Sequence, residues 1–286
     1  MNMNTVVRIA GVPEHFNLPW LMALEEGAFS ARGIDLRWTD VPEGTGKMAQ
    51  MLREGQTDLA VILTEGLVKA VTEGTPVQIA QEYIASPLHW GIHVHQSSPF
   101  QKESELEGKT AAISRYGSGS HLMAFIHAQN QGWPVENLDF EVVNTLEGAV
   151  AALASGAADY FMWERFTTQP LVDQGVFRRV GVCPTPWPCF VISCTEEFGR
   201  KSPGVLSDLL EIINTFTVEF REIPSIDRTL ALRYGQTVEG IREWLALTRW
   251  SQTQIKEEDL ENVIRTLNHL KLISNNISVE ALMWKP

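Results

Sequence analysis

Apolar positions fall in short alternating or continuous runs, separated by longer segments with helical spacing. Residues 6–11 alternate as a strand. After the loop Val12-Pro13-Glu14-His15-Phe16-Asn17, an apolar helix is predicted over 18–29 and stopped by Gly33. A second strand follows at 34–38, a loop at 42–46, a helix at 47–54 and a wholly apolar, buried strand at 59–63. A helix at 65–73 and a strand at 77–83 complete this series. The middle of the chain repeats the grammar, with strands at 90–94, 110–114, 140–143 and 160–162 and helices at 121–131 and 146–155. Strands alternating with short helices predict an α/β protein with parallel pairing through helical crossovers. Two more strands, 177–182 and 190–194, precede a helical tail at 202–222, 225–234, 239–247 and 257–270. Its last helix carries Leu260, Val263, Ile264, Leu267 and Leu270 on one face, the mark of a packing helix.

One piece recurs nearly intact. Leu52-x-x-Gly55-x-x-Asp58 precedes the strand at 59–63, and Leu153-x-x-Gly156-x-x-Asp159 precedes the strand at 160–162, each residue shifted by 101. Leucine packs a helix, glycine ends it in a left-handed turn, and aspartate opens the strand. The repeat predicts two related α/β lobes.

A chain of 286 residues with 44% hydrophobic and 20% charged residues can bury two cores. Its 23 Lys and Arg against 35 Asp and Glu give a net charge of −12, which disfavours nucleic acid and anionic membranes as partners. No apolar run is long enough to insert in a bilayer. The first five residues lack the basic start and apolar run of an export signal, and the three cysteines Cys183, Cys189 and Cys194 are odd in number. Both features favour the cytoplasm, the alternative being a periplasmic or lipid-anchored protein after processing.

Several motifs fall short of chemistry. Glu43-Gly44-Thr45-Gly46-Lys47 approaches a phosphate loop, but Val41 replaces its first glycine and Met48 its hydroxyl residue. His93-x-His95, with His89 nearby, lacks further metal ligands and is expected to be ordinary strand histidines. Gly117-x-Gly119 lacks the third glycine of a dinucleotide site, and no nucleophile elbow is present.

Further motifs run along the chain: Ile9-x-Gly11-x-Pro13, Glu26-Gly27-x-Phe29 with Gly33-Ile34-Asp35-Leu36, the stretch from Leu52 to Asp58, and Gly108-Lys109. Ser118-x-Ser120-His121, Leu153 to Asp159 before Trp163-Glu164, and Thr195-Glu196-Glu197-Phe198 follow them. In the order and spacing of these motifs, the chain resembles the alkanesulfonate-binding and thiamine-pyrimidine-synthesis superfamily. The resemblance implies a two-lobed type 2 periplasmic-binding-protein-like fold with a helical C-terminal tail. Lobe I would be 1–86 with 189–286 and lobe II 87–188, closing by a hinge on a ligand in the cleft between them. The pyrimidine-synthase branch of this superfamily carries pyridoxal phosphate on a lysine, consumes a histidine and has a cysteine-rich run. Here Ile62, Gly66 and Pro186-Trp187-Pro188-Cys189-Phe190 stand at those places. No cofactor, metal or catalytic residue is therefore expected, and an enzyme with relocated residues remains the alternative.

Open α/β sheets bind ligands beyond the carboxyl ends of their strands. This places Glu14, His15, Phe16, Glu43, Thr64, Glu65, Tyr83, Arg115, Ser118, Gly119, Ser120, Asn144, Trp163, Glu164 and Trp187 at the expected site. The loop at 114–121 can offer N–H groups and a helix dipole to an anionic or polar group. Carboxylates and aromatic rings together favour a flat amino-heterocycle, such as a thiamine-precursor pyrimidine. The single nearby Arg115 with the serines would favour a sulfonate or other oxyanion instead. The partners expected are a small molecule and an ABC-transporter permease.

Overall fold

A computed structural model describes residues 4–274 and 277–285; the opening Met1-Asn2-Met3, on which the leader expectation partly rests, lie outside it. In chain order the strands are β1 Thr5–Gly11, β2 Ile34–Asp40, β3 Leu59–Leu63, β4 Val77–Ile84, β5 His89–His95, β6 Ala111–Ile113, β7 Phe140–Val142, β8 Tyr160–Glu164, β9 Phe177–Pro184 and β10 Phe190–Thr195. Interleaved with them are α1 Leu18–Glu25, α2 Ala28–Ala31, α3 Thr45–Arg53, α4 Thr64–Thr72, α5 Gly119–Gln131, α6 Leu146–Ser155 and α7 Gln169–Asp173. After β10 come α8 Glu196–Lys201, α9 Pro203–Val218, α10 Ile226–Tyr234, α11 Val238–Leu247, α12 Glu257–His269 and α13 Val279–Leu282.

The chain divides into unit 1, residues 1–87 with 187–286, and unit 2, residues 88–186. Unit 1 holds a five-stranded sheet in the order β2-β1-β3-β10-β4, and unit 2 one in the order β7-β6-β8-β5-β9. β1 is parallel to β2 and β3, and β6 is parallel to β7 and β8. The parallel pairing expected where strands alternate with helices forms in both units, but it does not extend across either sheet, because β10 runs antiparallel to β3 and β4, and β5 to β8 and β9. Each of these is the first strand after the chain enters its unit, and no crossover helix precedes it to restore the parallel direction.

The two copies of the Leu-Gly-Asp motif do the same structural work. Gly55 and Gly156 take φ +66° and +75° at the helix ends. Asp58 accepts a hydrogen bond from the Arg8 backbone N–H at 2.8 Å, and Asp159 one from Thr110 at 2.9 Å. Each aspartate thereby pins the start of its strand to the neighbouring parallel strand, β3 to β1 and β8 to β6. The helix expected over 18–29 is interrupted: Gly27 at φ +70° separates α1 from α2. The core of unit 1 is the apolar β1 and β3, with α9 packed on α1 and α12 on α4. Unit 2 closes over Ala112, Ala149, Leu153, Phe161 and Phe177.

Candidate functional site

In unit 1 the loops after β1 and β3 meet at the carboxyl edge of the sheet, and their polar groups are buried. His15, only 1% exposed, stacks on Trp244 of α11 with ring centroids 4.3 Å apart, and its Nε2 lies 3.4 Å from Gln236. Burial lowers its pKa to about 3, so the ring is neutral at pH 7 and its Nδ1 has no partner. The Phe16 carbonyl accepts from the Tyr83 hydroxyl at 2.7 Å and from Trp250 at 3.4 Å. The amide of Asn17 donates to the Val12 carbonyl at 2.9 Å, leaving Oδ1 unsatisfied.

Glu65 sits in the first turn of α4 and is 3% exposed. Its Oε2 accepts from the Trp187 indole N–H at 2.9 Å, while Oε1 is buried without a hydrogen-bond partner. Burial pushes its pKa up to about 7, against the pull of its own backbone N–H and of Trp187. Thr64 is spent structurally, its hydroxyl donating to the Pro188 carbonyl at 2.6 Å. Gly66 has no Cβ because Thr45 of α3 occupies that space; a methyl there would lie 2.0 Å from Thr45 Cγ2.

In unit 2 the serine and glutamate oxygens of the corresponding edge are bonded within it, while the buried Trp90 indole N–H has no partner among the described residues. Ser118 caps α5, its Oγ accepting from His121 N–H at 3.3 Å, and it lies 3.0 Å from Ser120 Oγ. Ser120 Oγ in turn accepts from the Ser114 N–H at 3.0 Å. The Glu164 carboxylate accepts from the Thr167 N–H at 2.6 Å and its hydroxyl at 2.8 Å, although burial still raises its pKa. Arg115 is half-buried, and among the described residues no hydrogen bond or ion pair reaches its guanidinium; burial lowers its pKa. Gly119 opens α5, and Asn144 is exposed in the left-handed region at φ +61°.

Not every expected residue lies at an edge where a ligand could touch it. Tyr83 is fully buried with its hydroxyl committed to Phe16, so it holds the loop instead of lining it. Glu43 is exposed and Glu14 half-exposed. Trp163 is half-buried and stacked on Phe161 at 5.4 Å. His93, fully buried, shares a 2.9 Å hydrogen bond with Thr168, and His95 one of 2.8 Å with Ser97. Among the described residues no group of three His, Cys, Asp or Glu could hold a metal, and no helix is long and apolar enough to cross a membrane.

Two contributions escaped the sequence. The Trp38 ring of β2 packs against Gly11, where an added methyl would come within 2.4 Å of it, and its N–H donates to Asp40 at 2.8 Å. The tail helices reach the first loop through Trp244, Gln236 and Tyr234, whose hydroxyl donates to the Glu14 carbonyl at 3.3 Å. A tryptophan at the carboxyl end of a strand was a usable signal for Trp38; the tail contacts had none. A groove of about 920 Å³ lies at the opposite edge of the unit 1 sheet, but Arg8 with Asp58 and Lys201 with Glu197 neutralise each other there.

Residues 90–183 match a profile of the Ca3427-like periplasmic-binding-protein family. No protein of curated description matches by sequence. The Candida albicans CA3427 gene product, described as having the generic periplasmic binding protein fold, superposes with TM-score 0.89 at 21% identity, over 97% of this chain and 95% of that one. The alkanesulfonate-binding protein SsuA from Xanthomonas axonopodis pv. citri, bound to MOPS, gives 0.83 at 15% identity over 99% of both chains. The periplasmic nitrate-binding protein NrtA from Synechocystis PCC 6803 gives 0.71 at 14% over 97% and 84%. Matching strand order in both units and these neighbours over nearly the whole chain show that it has the type 2 periplasmic-binding-protein fold.

Proposed function

We propose that the chain is a small-molecule binding protein whose two units close on one ligand at the strand-end loops, without chemistry on it. The observation that carries this is the set of buried polar atoms without a protein partner on the unit 1 loops: His15 Nδ1, Asn17 Oδ1 and Glu65 Oε1. Each such atom costs about 1–3 kcal/mol while unsatisfied, so a polar molecule or water that reaches them is favoured. The thiols offer no nucleophile to set beside them: Cys183, Cys189 and Cys194 are buried, and burial raises the first to about 11 and the last to about 12. Aromatic surfaces at Trp38 and Trp187 and the carboxyl of Glu65 favour an amino-heterocycle, of which a thiamine-precursor pyrimidine is one example.

Native mass spectrometry of the purified protein is expected to find a co-purified small molecule. A thermal-shift screen is expected to respond to amino-heterocycles by several degrees. A response to sulfonates, nitrate or bicarbonate alone would replace the ligand class. That second reading is favoured by Arg115, in the loop before α5, whose guanidinium has no hydrogen bond or ion pair among the described residues, and SsuA and NrtA are named for such anions. A borohydride-trapped lysine adduct after incubation with pyridoxal phosphate would instead restore the enzyme reading. Its relatives' names make an ABC-transporter permease the partner to test, by pull-down. Three buried thiols, none of them in a disulfide among the described residues, support a reducing compartment, which cell fractionation checks.

A further inference from the structure

Glu65 is the one carboxyl among the described strand-end residues that is both enclosed and half-satisfied. Its Oε2 takes the Trp187 N–H, while Oε1 has no hydrogen-bond partner among the described residues by strict geometry, its own backbone N–H lying near enough only to favour the ionised form. A carboxyl so placed can act on a flat ligand at two points, donating from one oxygen and accepting at the other. Resting on the binding reading above, we propose that Glu65 is the specificity-determining residue of this site and takes an amidine-like edge. Oε1–H donates to a ring nitrogen, and Oε2 accepts from the adjacent exocyclic amino group beside the Trp187 indole.

Such a pair holds one shared proton, so binding requires that proton to be present. Burial favours the neutral acid, and the ordinary carboxyl value of 4.5 rises to about 7. The elements packed on α4 are α3, α12, β3 and β10. Their titratable groups are Lys47 and Arg53 on α3, Cys194 on β10, and Glu257, Glu258, Asp259, Glu261, Arg265 and His269 on α12, with Lys69 on α4 itself. None of these contributes to the shift of Glu65, which comes from burial against its own N–H and that of Trp187. Affinity for a neutral amidine-type ligand therefore falls as pH rises through the Glu65 value.

The probe is 2-aminopyrimidine, whose ring stays uncharged across the range, measured by calorimetry on the full chain. Wild-type affinity is expected to fall about thirty-fold between pH 6 and pH 8.5, as a single ionisation near 7 dictates. Pyrimidine, without the amino group, should bind at least about ten-fold more weakly at pH 6. Glu65→Gln presents the same donor and acceptor without a titrating proton. It should stay within about three-fold of wild type at pH 6 and lose the pH dependence, while Glu65→Leu should lose about ten-fold or more. Circular dichroism melts of both variants, expected to be cooperative, check that they fold. Binding that ignores pH in the wild type, or survives Glu65→Leu, overturns the role of Glu65 and leaves the binding function standing. If 2-aminopyrimidine fails to bind the wild type at any pH, the amino-heterocycle reading is wrong and this proposal falls with it.

Discussion

The two units share a strand order and a strand-opening motif, yet they treat the polar groups at their carboxyl edges in opposite ways. In unit 2, Ser114, Ser118, Ser120, Glu164 and Thr167 bond to one another or to nearby backbone, and the groups left over are the Arg115 guanidinium and the buried indole N–H of Trp90, opposite Glu164 in the sheet register. In unit 1, His15, Asn17 and Glu65 are equally buried but each keeps an atom without a partner. Topology is thus repeated while chemistry is not. A buried unsatisfied acceptor is destabilising to hold, so the unit 1 edge gains from a ligand or water that reaches His15, Asn17 or Glu65, while the serine and glutamate oxygens of the unit 2 edge are already bonded.

The aromatic support of the two edges gives the largest expected contrast. Trp244 is buried and stacked on His15, whereas Trp163 is half-buried on Phe161. Trp244→Ala should cost about 3–5 kcal/mol in urea denaturation and loosen the first loop, and Trp163→Ala clearly less. Equal losses would mean that the tail helix does not hold the site.

Next is the pH linkage of the buried carboxyls. With a folded value of about 7 against an ordinary 4.5, Glu65 keeps its proton in the folded state where the unfolded chain has lost it. Its contribution is fully present below about pH 4.5 and is lost as pH rises through about 7. The total is on the order of 3 kcal/mol. Wild type should therefore lose stability relative to Glu65→Gln over this window and run parallel to it above. His15, at about 3, acts in the opposite sense, adding stability as pH rises from about 3 to 6.5, but it is common to both proteins and cancels. Glu164→Gln should change the slope less, because Thr167 donates two hydrogen bonds to the ionised form. Urea denaturation of each protein from pH 4 to 8.5 measures all three.

The repeated aspartates test how alike the units are in structure. Asp58→Ala removes the acceptor of the Arg8 N–H and of its guanidinium, and Asp159→Ala that of the Thr110 N–H alone. Losses of about 1–3 kcal/mol are expected, with Asp58 the larger by the small worth of a part-exposed ion pair. The reverse order would show that the Arg8 pairing contributes nothing.

The alternation of apolar runs, the repeat shifted by 101 and the glycine stops made the α/β architecture legible, since each reports a local requirement of helix or strand. Two things were not legible. The antiparallel β5 and β10 depend on where the chain enters each unit, which periodicity does not record. At the site, Glu65 and Trp187 could be named because they follow strand ends, but their pairing across 122 positions could not. Tyr83 misled for the same reason: a residue at a strand end can point into the core as easily as out of it. His15 stacking on Trp244 depended on a tail whose sequence showed only packing helices.

The smallest expected effect on stability, Arg115→Met, separates the two ligand classes. A half-buried guanidinium with no partner gains little from the folded state, since burial already works against its charge. Replacing it with an apolar chain of similar length should change stability by no more than about 0.5 kcal/mol. If unit 2 offers only a platform, affinity for 2-aminopyrimidine should be nearly unchanged too. If Arg115 instead faces an oxyanion, the variant should lose about ten-fold or more for methanesulfonate or nitrate, as removal of a charged hydrogen-bond donor does. Calorimetry with both ligand types on this one variant therefore asks which edge reads the ligand. Loss confined to the anions assigns the reading to unit 2, and loss confined to Glu65→Leu assigns it to unit 1.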